Sequence, residues 1–216
     1  MSQKRIYVDD GAYFVTARTF QYQKIFNQDV NCQLFLSVLD KYHKKMKFCL
    51  YAYAVMPDHV HLLILPRGKF DISDINHRIK GNFAFRYRRN HKGSVTGARI
   101  TSPNPVGEPL WFANKSNLLN HKGSATERGL GQNTSIGEPS WFAHKRRRVR
   151  INPVWQKSFH DRIIRSDEQL FNTIQYINCN AVKHQLVDDL IKWPYSSFHN
   201  YNDKEKALIE IDYLEA

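Results

Sequence analysis

The period of apolar and polar positions changes several times along the chain. Ala12-Tyr-Phe-Val-Thr-Ala-Arg-Thr-Phe20 is aromatic and β-branched with near alternation, which predicts a strand. Val30, Leu34, Phe35, Val38, Leu39, Tyr42 and Met46 then recur at helical spacing, with Lys41, Lys44 and Lys45 elsewhere on the wheel, so residues about 29–46 are expected to form an amphipathic helix. Phe48–Val55 and His59–Leu65 read as strands joined by Met56-Pro57-Asp58, which is long enough only for a turn. Ile72, Ile75, Ile79 and Phe83 mark a second helix of about 71–89, and Val154–Ile163 a fourth strand. The order is βαββαβ. It predicts an α+β, ferredoxin-like domain, an antiparallel four-stranded sheet with two helices on one face and the other face open. After it, Ser166-Asp-Glu-Gln169 has capping-box spacing, and Leu170, Phe171, Ile174 and Ile177 supply the stripe of an extra C-terminal helix placed beside or across that open face.

Between the second helix and the fourth strand the pattern fades. Asn90-His-Lys-Gly-Ser94 returns 30 residues later as Asn120-His-Lys-Gly-Ser124, and the register continues through Gly107-Glu-Pro109 and Trp111-Phe-Ala113 to Gly137-Glu-Pro139 and Trp141-Phe-Ala143. Two copies are too few for a solenoid, and residues 91–150 hold seven of the ten glycines. This stretch reads as a flexible insertion carrying a tandem duplication, within one domain made of residues 1–90 and 151–216.

Charge is also uneven along the chain. Residues 1–74 sum to +3, residues 75–150 to +12 and residues 151–216 to −3, within a total of +12. Aromatics interleave with cations in Phe83-Ala-Phe85-Arg-Tyr87-Arg-Arg, a mixture suited to phosphates and bases. The charge of residues 75–150 is therefore expected to hold a polyanion, and the nearly neutral remainder to carry any chemistry. Three cysteines without CxxC spacing argue against disulfides or a cysteine-built zinc site. With neither an 18-residue apolar run nor a signal-like start, the expected setting is the cytosol, away from membranes.

Candidate chemistry centres on His59-Val60-His61. Residues i and i+2 of a strand point to the same side, which suits two cis ligands on one metal, although two partly exposed histidines opening a strand would look the same. The extra helix offers an oxygen donor: Tyr176 and Asn180 are four apart and share a helical face. A metal held by His59, His61 and the Asn180 amide oxygen would lie near a tyrosine hydroxyl, and Tyr176 would then be a plausible nucleophile on a polarised phosphodiester. Tyr195 and Tyr201 are other tyrosines to weigh, neither with an oxygen ligand candidate at i+4 in a firm helix.

Met56-Pro-Asp-His-Val-His-Leu-Leu63, Trp155-Gln-Lys-Ser-Phe-His-Asp-Arg162, Tyr176-Ile-Asn-Cys-Asn-Ala-Val-Lys183 and Trp193-Pro-Tyr-Ser-Ser-Phe198 together resemble the REP-associated tyrosine transposases of the HUH endonuclease superfamily. The resemblance implies His59, His61 and Asn180 as metal ligands, Tyr176 as nucleophile, and Mg²⁺ or Mn²⁺ as cofactor, of which Mn²⁺ suits two imidazoles and an amide better. It further implies nicking and rejoining of palindromic single-stranded hairpin DNA through a 5′-phosphotyrosine, by a monomer using its own tyrosine. Arg86, Arg88 and Arg89, with Lys145, Arg146, Arg147, Arg148 and Arg150, would track the phosphates. Ala181 stands where the family usually has Pro, so the helix is expected to run on through Asn180. The rival reading is a non-catalytic single-stranded nucleic-acid binder, with Tyr51 and Tyr53 on one face of a central strand as stacking platforms. An inactive transposase relic, suggested by the duplicated insertion and Ala181, is the third reading.

Overall fold

The computed structural model describes residues 11–91 and 153–214. They build a four-stranded sheet in the order β2-β3-β1-β4, with β1 Tyr13–Arg18, β2 Cys49–Met56, β3 His59–Leu65 and β4 His160–Ile163. Every neighbouring pair is antiparallel. The connections are α1 Asp29–Met46 after β1 and α2 Ile72–His91 after β3. This is the ferredoxin-like arrangement that the hydrophobic pattern implies.

Strand alternation divides the sheet into two faces. Tyr13, Val15 and Ala17 of β1 and Val60, Leu62 and Ile64 of β3 pack under α1 and α2 with Phe35, Leu39, Ile75, Ile79 and Phe83. Fully burying each such side chain stabilises the fold by about 1.5–3 kcal/mol. Ala52, Ala54, Met56 and Leu63 face the other way, where Ile174 and Ile177 of α3 (Asp167–Asn178) cover them. The expected cap is present: Ser166 accepts a hydrogen bond from the Gln169 N–H at 3.2 Å, and the Gln169 side chain reaches back to the Arg165 N–H at 3.1 Å. The extra helix thus lies across part of the face opposite α1 and α2.

Three expectations need correction. The fourth strand is only His160–Ile163; ahead of it the pairing is a single bridge between Trp155 and Thr19, and the Trp155 side chain goes to the core. Trp155 inserts among Phe26, Phe35 and Phe83 and donates Nε1–H to the Lys80 carbonyl at 3.0 Å, while Lys80 Nζ binds the Gln156 and Ser158 carbonyls. Tyr51 and Tyr53 are no shared platform. A bulge between Leu50 and Ala52 turns Tyr51 to the α3 side and Tyr53 to the α1 side, both are buried, and β2 is not central in the strand order. Its outer edge is covered by the Trp193–Phe198 segment through Val55 N–H to Tyr195 O and Ser197 N–H to Tyr53 O, each 2.8 Å. Finally, the helix does not run uniformly through Asn180. Regular helix stops at Asn178, Cys179 has φ −81° and ψ 0°, and a short α4, Asn180–Lys183, follows. The bonds Cys179 N–H to Gln175 O, Lys183 N–H to Cys179 O and His184 N–H to Asn180 O carry the i,i+4 ladder across the break. The pause exists without a proline to impose it. The duplicated insertion and the Lys145–Arg150 block lie outside the described residues.

Candidate active site

The site lies where the α3–α4 helical run crosses β3. His59 and His61 point to the same sheet face, as their spacing requires, but both are buried, with 8% and 5% exposure, so they are not partly exposed residues at a strand entrance. Each Nδ1 is engaged: His59 with the Asp58 carboxylate at 2.6 Å, and His61 with Thr16 Oγ1 at 2.9 Å. An ionised carboxylate only accepts, so Asp58 fixes the proton on His59 Nδ1 and leaves Nε2 with its lone pair. The two Nε2 atoms converge at 3.2 Å.

Burial is the main force on both rings. It lowers the His61 pKa to about 3, reinforced by His59, His184 and Arg18 nearby. It also lowers that of His59, against the opposing pull of Asp58. Two neutral imidazoles with converging Nε2 atoms form a ligand pair, and their separation is close to the roughly 3.0 Å between cis ligands about 2.1 Å from an octahedral ion.

Asn180 completes the fit. It is 0% exposed, and neither Oδ1 nor Nδ2 has a hydrogen-bond partner. A buried amide left unpaired is costly unless something binds it. Its neighbours on the helical face touch the histidines on either side: the Tyr176 ring is 5.7 Å from His61, and the His184 ring 6.0 Å from His59. Tyr176 is 38% exposed, leaning edge-on against Phe14 at 5.8 Å. The residues therefore fit a divalent ion. Among the described residues no group of three His, Cys, Asp or Glu side chains could hold a metal.

Other side chains near this centre were not foreseen. Arg18 pairs with His59 in register. Lys183 holds its Nζ 4.8 Å from the Tyr176 ring centre, and Arg162 lies over Phe14 at 5.7 Å while donating to Thr173. Helical periodicity could have found Lys183 and His184, at i+7 and i+8 from Tyr176. No sequence signal specified Arg18 or Arg162, because strand register is not legible in one chain. Arg86, Arg88 and Arg89 belong to α2, in the layer on the opposite side of the sheet. The rival tyrosines lie elsewhere: Tyr195 is buried in the α1/α2 core, and Tyr201 donates its hydroxyl to the Tyr51 carbonyl at 2.7 Å.

Residues 8–99, which contain the His59–His61 pair, match the family model described as Transposase IS200 like. Within the chain, 54 residues are 44% identical to an inferred REP-associated tyrosine transposase of Haemophilus influenzae, and 60 residues are 35% identical to the REP-associated tyrosine transposase of Escherichia coli K12. These matches span 25% and 28% of this chain and about a third of each relative, 31% and 35%. A solved REP-associated tyrosine transposase bound to a REP hairpin superposes with TM-score 0.59 at 20% identity, covering 100% of this chain and 93% of that one. At that identity the likeness speaks for the fold alone. No helix among the described residues is long and apolar enough to cross a membrane.

Proposed function

We propose that this chain is a metal-dependent single-stranded DNA endonuclease and strand transferase of the tyrosine HUH type, acting on palindromic hairpins. One observation carries the reading: two buried imidazoles with Nε2 atoms 3.2 Å apart lie against an exposed tyrosine, one helical turn before an orphaned buried amide. A divalent ion held by His59, His61 and Asn180, with Mn²⁺ the better match to nitrogen donors and Mg²⁺ the alternative, would supply charge neutralisation at the phosphoryl oxygens. Asp58 and Thr16 orient the two rings. Tyr176 Oη attacks phosphorus, forming the phosphotyrosine bond as the bond to the 3′ oxygen breaks, and the phenolic proton ends on that oxygen as a free 3′-OH. Attack by a 3′-OH on the adduct reverses the exchange and rejoins strands without an external energy source. Lys183 and Arg18 offer charge to the phosphates on either side.

Tyr176 sits on the histidine pair of its own chain, which supports a monomer cutting in cis. A REP hairpin, the partner in the similar solved structure, is the substrate class to try first, and the cytoplasm the compartment in which such DNA is met. The test uses an end-labelled hairpin with single-stranded flanks and Mn²⁺. An SDS-resistant protein–DNA adduct is expected from the natural chain and none from Tyr176→Phe. Binding without an adduct would defeat the enzymatic reading, and an adduct that persists in Tyr176→Phe would defeat the assignment of the nucleophile.

A further inference from the structure

Immediately after β1 the backbone does something costly. Gln21 and Tyr22 are consecutive non-glycine residues with φ 51° and 54°, in the left-handed region that side chains disfavour. Such strain persists only where the surroundings over-determine it. Here they do. Thr19 is fully buried, its N–H donates to the Asp58 carbonyl at 2.9 Å, and its hydroxyl shares a hydrogen between the Gln23 and Asp58 carbonyls at 2.8 and 2.9 Å. Phe20 N–H binds Val154 O at 2.9 Å, and Phe26 N–H binds Pro57 O at 3.0 Å. The turn is thus fastened to Pro57-Asp58, the same turn whose carboxylate orients His59.

What this strained turn displays is an aromatic ring. Tyr22 is 56% exposed, so its ring does little for the core. It rests against the Arg18 guanidinium, 5.5 Å from the ring centre. Arg18 is in register with His59, on the sheet face that carries the histidine pair, and its charge acts on both rings. A cation beside the metal ligands, backed by an exposed ring held rigidly relative to them, matches the pairing of phosphate and base along a single strand.

We propose that Tyr22 is a stacking platform for one base of single-stranded DNA flanking the scissile phosphate, with Arg18 taking the adjoining phosphate. The proposal rests on the nuclease reading above and adds to it the site that grips the strand next to the cut.

The test uses the full chain carrying Tyr176→Phe, Mn²⁺, and a hairpin oligonucleotide in which 2-aminopurine is walked through the single-stranded flank. Fluorescence quenching is expected at one flank position. Tyr22→Gly should lose that quenching and bind on the order of 10- to 100-fold more weakly, yet melt no lower than its parent, because glycine adopts the left-handed conformation without strain. Tyr22→Trp should retain both quenching and affinity. An abasic nucleotide at the quenched position should weaken the parent but not Tyr22→Gly. The proposal is overturned if no quenching depends on Tyr22, if Tyr22→Gly binds like its parent, or if it loses affinity and melting temperature together. Adduct formation by the natural chain separates the two readings. An adduct with Tyr22-insensitive binding sinks the platform alone, Tyr22-dependent quenching without an adduct sinks the chemistry alone, and absence of DNA binding sinks both.

Discussion

Replacing Asn180 by leucine, which has nearly the same shape, should stabilise the metal-free protein and remove its response to metal. The amide is completely buried with both polar atoms unpartnered. An unsatisfied buried group costs about 1–3 kcal/mol, so removing it should return about that much. For a domain of this size each kcal/mol moves the melting temperature by about 2–4 °C, predicting a rise of about 2–12 °C in EDTA. Metal acts in the opposite sense. At 100 times its dissociation constant, a ligand of the native state adds about 2.7 kcal/mol, or about 5–11 °C, to the natural chain. If losing the amide weakens the metal about 100-fold, the same concentration adds only about 0.4 kcal/mol to Asn180→Leu.

Thermal unfolding with EDTA and with Mn²⁺, for both proteins, gives four melting temperatures and tests both signs together. The reasoning fails if Asn180→Leu melts lower in EDTA, which would make the amide structural. It also fails if the Mn²⁺ increment survives, which would remove Asn180 from the ligand set.

Three further outcomes follow from the same geometry. Because burial places the His61 pKa near 3, below the ordinary 6.5, the unfolded chain binds the extra proton between those values; stability of the metal-free protein should be fully present above pH 6.5 and fall by up to about 1.4 kcal/mol per unit as pH drops, a slope that urea titrations at pH 7, 6 and 5 should show and that His61→Leu should flatten. Asp58→Asn removes the carboxylate that fixes the His59 proton on Nδ1, so calorimetry should record about 10- to 100-fold weaker Mn²⁺ binding; unchanged affinity would mean the 2.6 Å contact is incidental. Lys183→Ala should slow adduct formation on the order of 10-fold or more and Lys183→Arg should largely restore it, since the ammonium beside Tyr176 supplies charge to the phosphate; equal rates in all three proteins would remove Lys183 from the site.

Periodicity made most of the architecture legible, because burial sets it. The wheel of Val38, Leu39, Tyr42 and Met46 located α1, and the Ser166 cap located the start of α3. It failed where side chains serve tertiary contacts that no local pattern encodes. Val154 and Trp155 look like strand residues because they are apolar, yet Trp155 is buried among aromatics from α1, α2 and the segment before α1. The bulge at Tyr51 arises from pairing with β3, and one inserted residue sends every inference about facing onto the wrong side. That His59 and His61 share a sheet face, and Tyr176 and Asn180 a helical face, was legible because i,i+2 on a strand and i,i+4 on a helix fix faces locally. That the two faces meet is tertiary information.

Segment charge does not resolve which face of an element carries it. Residues 1–74 and 151–216 sum to zero, which suggested a neutral core with the DNA grip elsewhere. A sum over sequence averages over both faces of every element. On β1, Phe14, Thr16 and Arg18 share one face, and on β4 His160 and Arg162 pair with Thr16 and Phe14, whereas Asp161 pairs with Val15 and so belongs to the opposite face. Asp188 and Asp203 form their ion pairs with Lys192 and Lys206 within their own segment. Alternation therefore sorts a neutral sequence into a cationic face bearing Arg18 and Arg162, with Lys183 added from the helix above. A phosphate drawn to Tyr176 would meet that local field, whose range in physiological salt is about 8 Å, before it felt any distant basic block. On the proposed reading, charge beyond that range would govern how DNA arrives, while Arg18, Arg162 and Lys183 would govern which phosphodiester rests against the tyrosine.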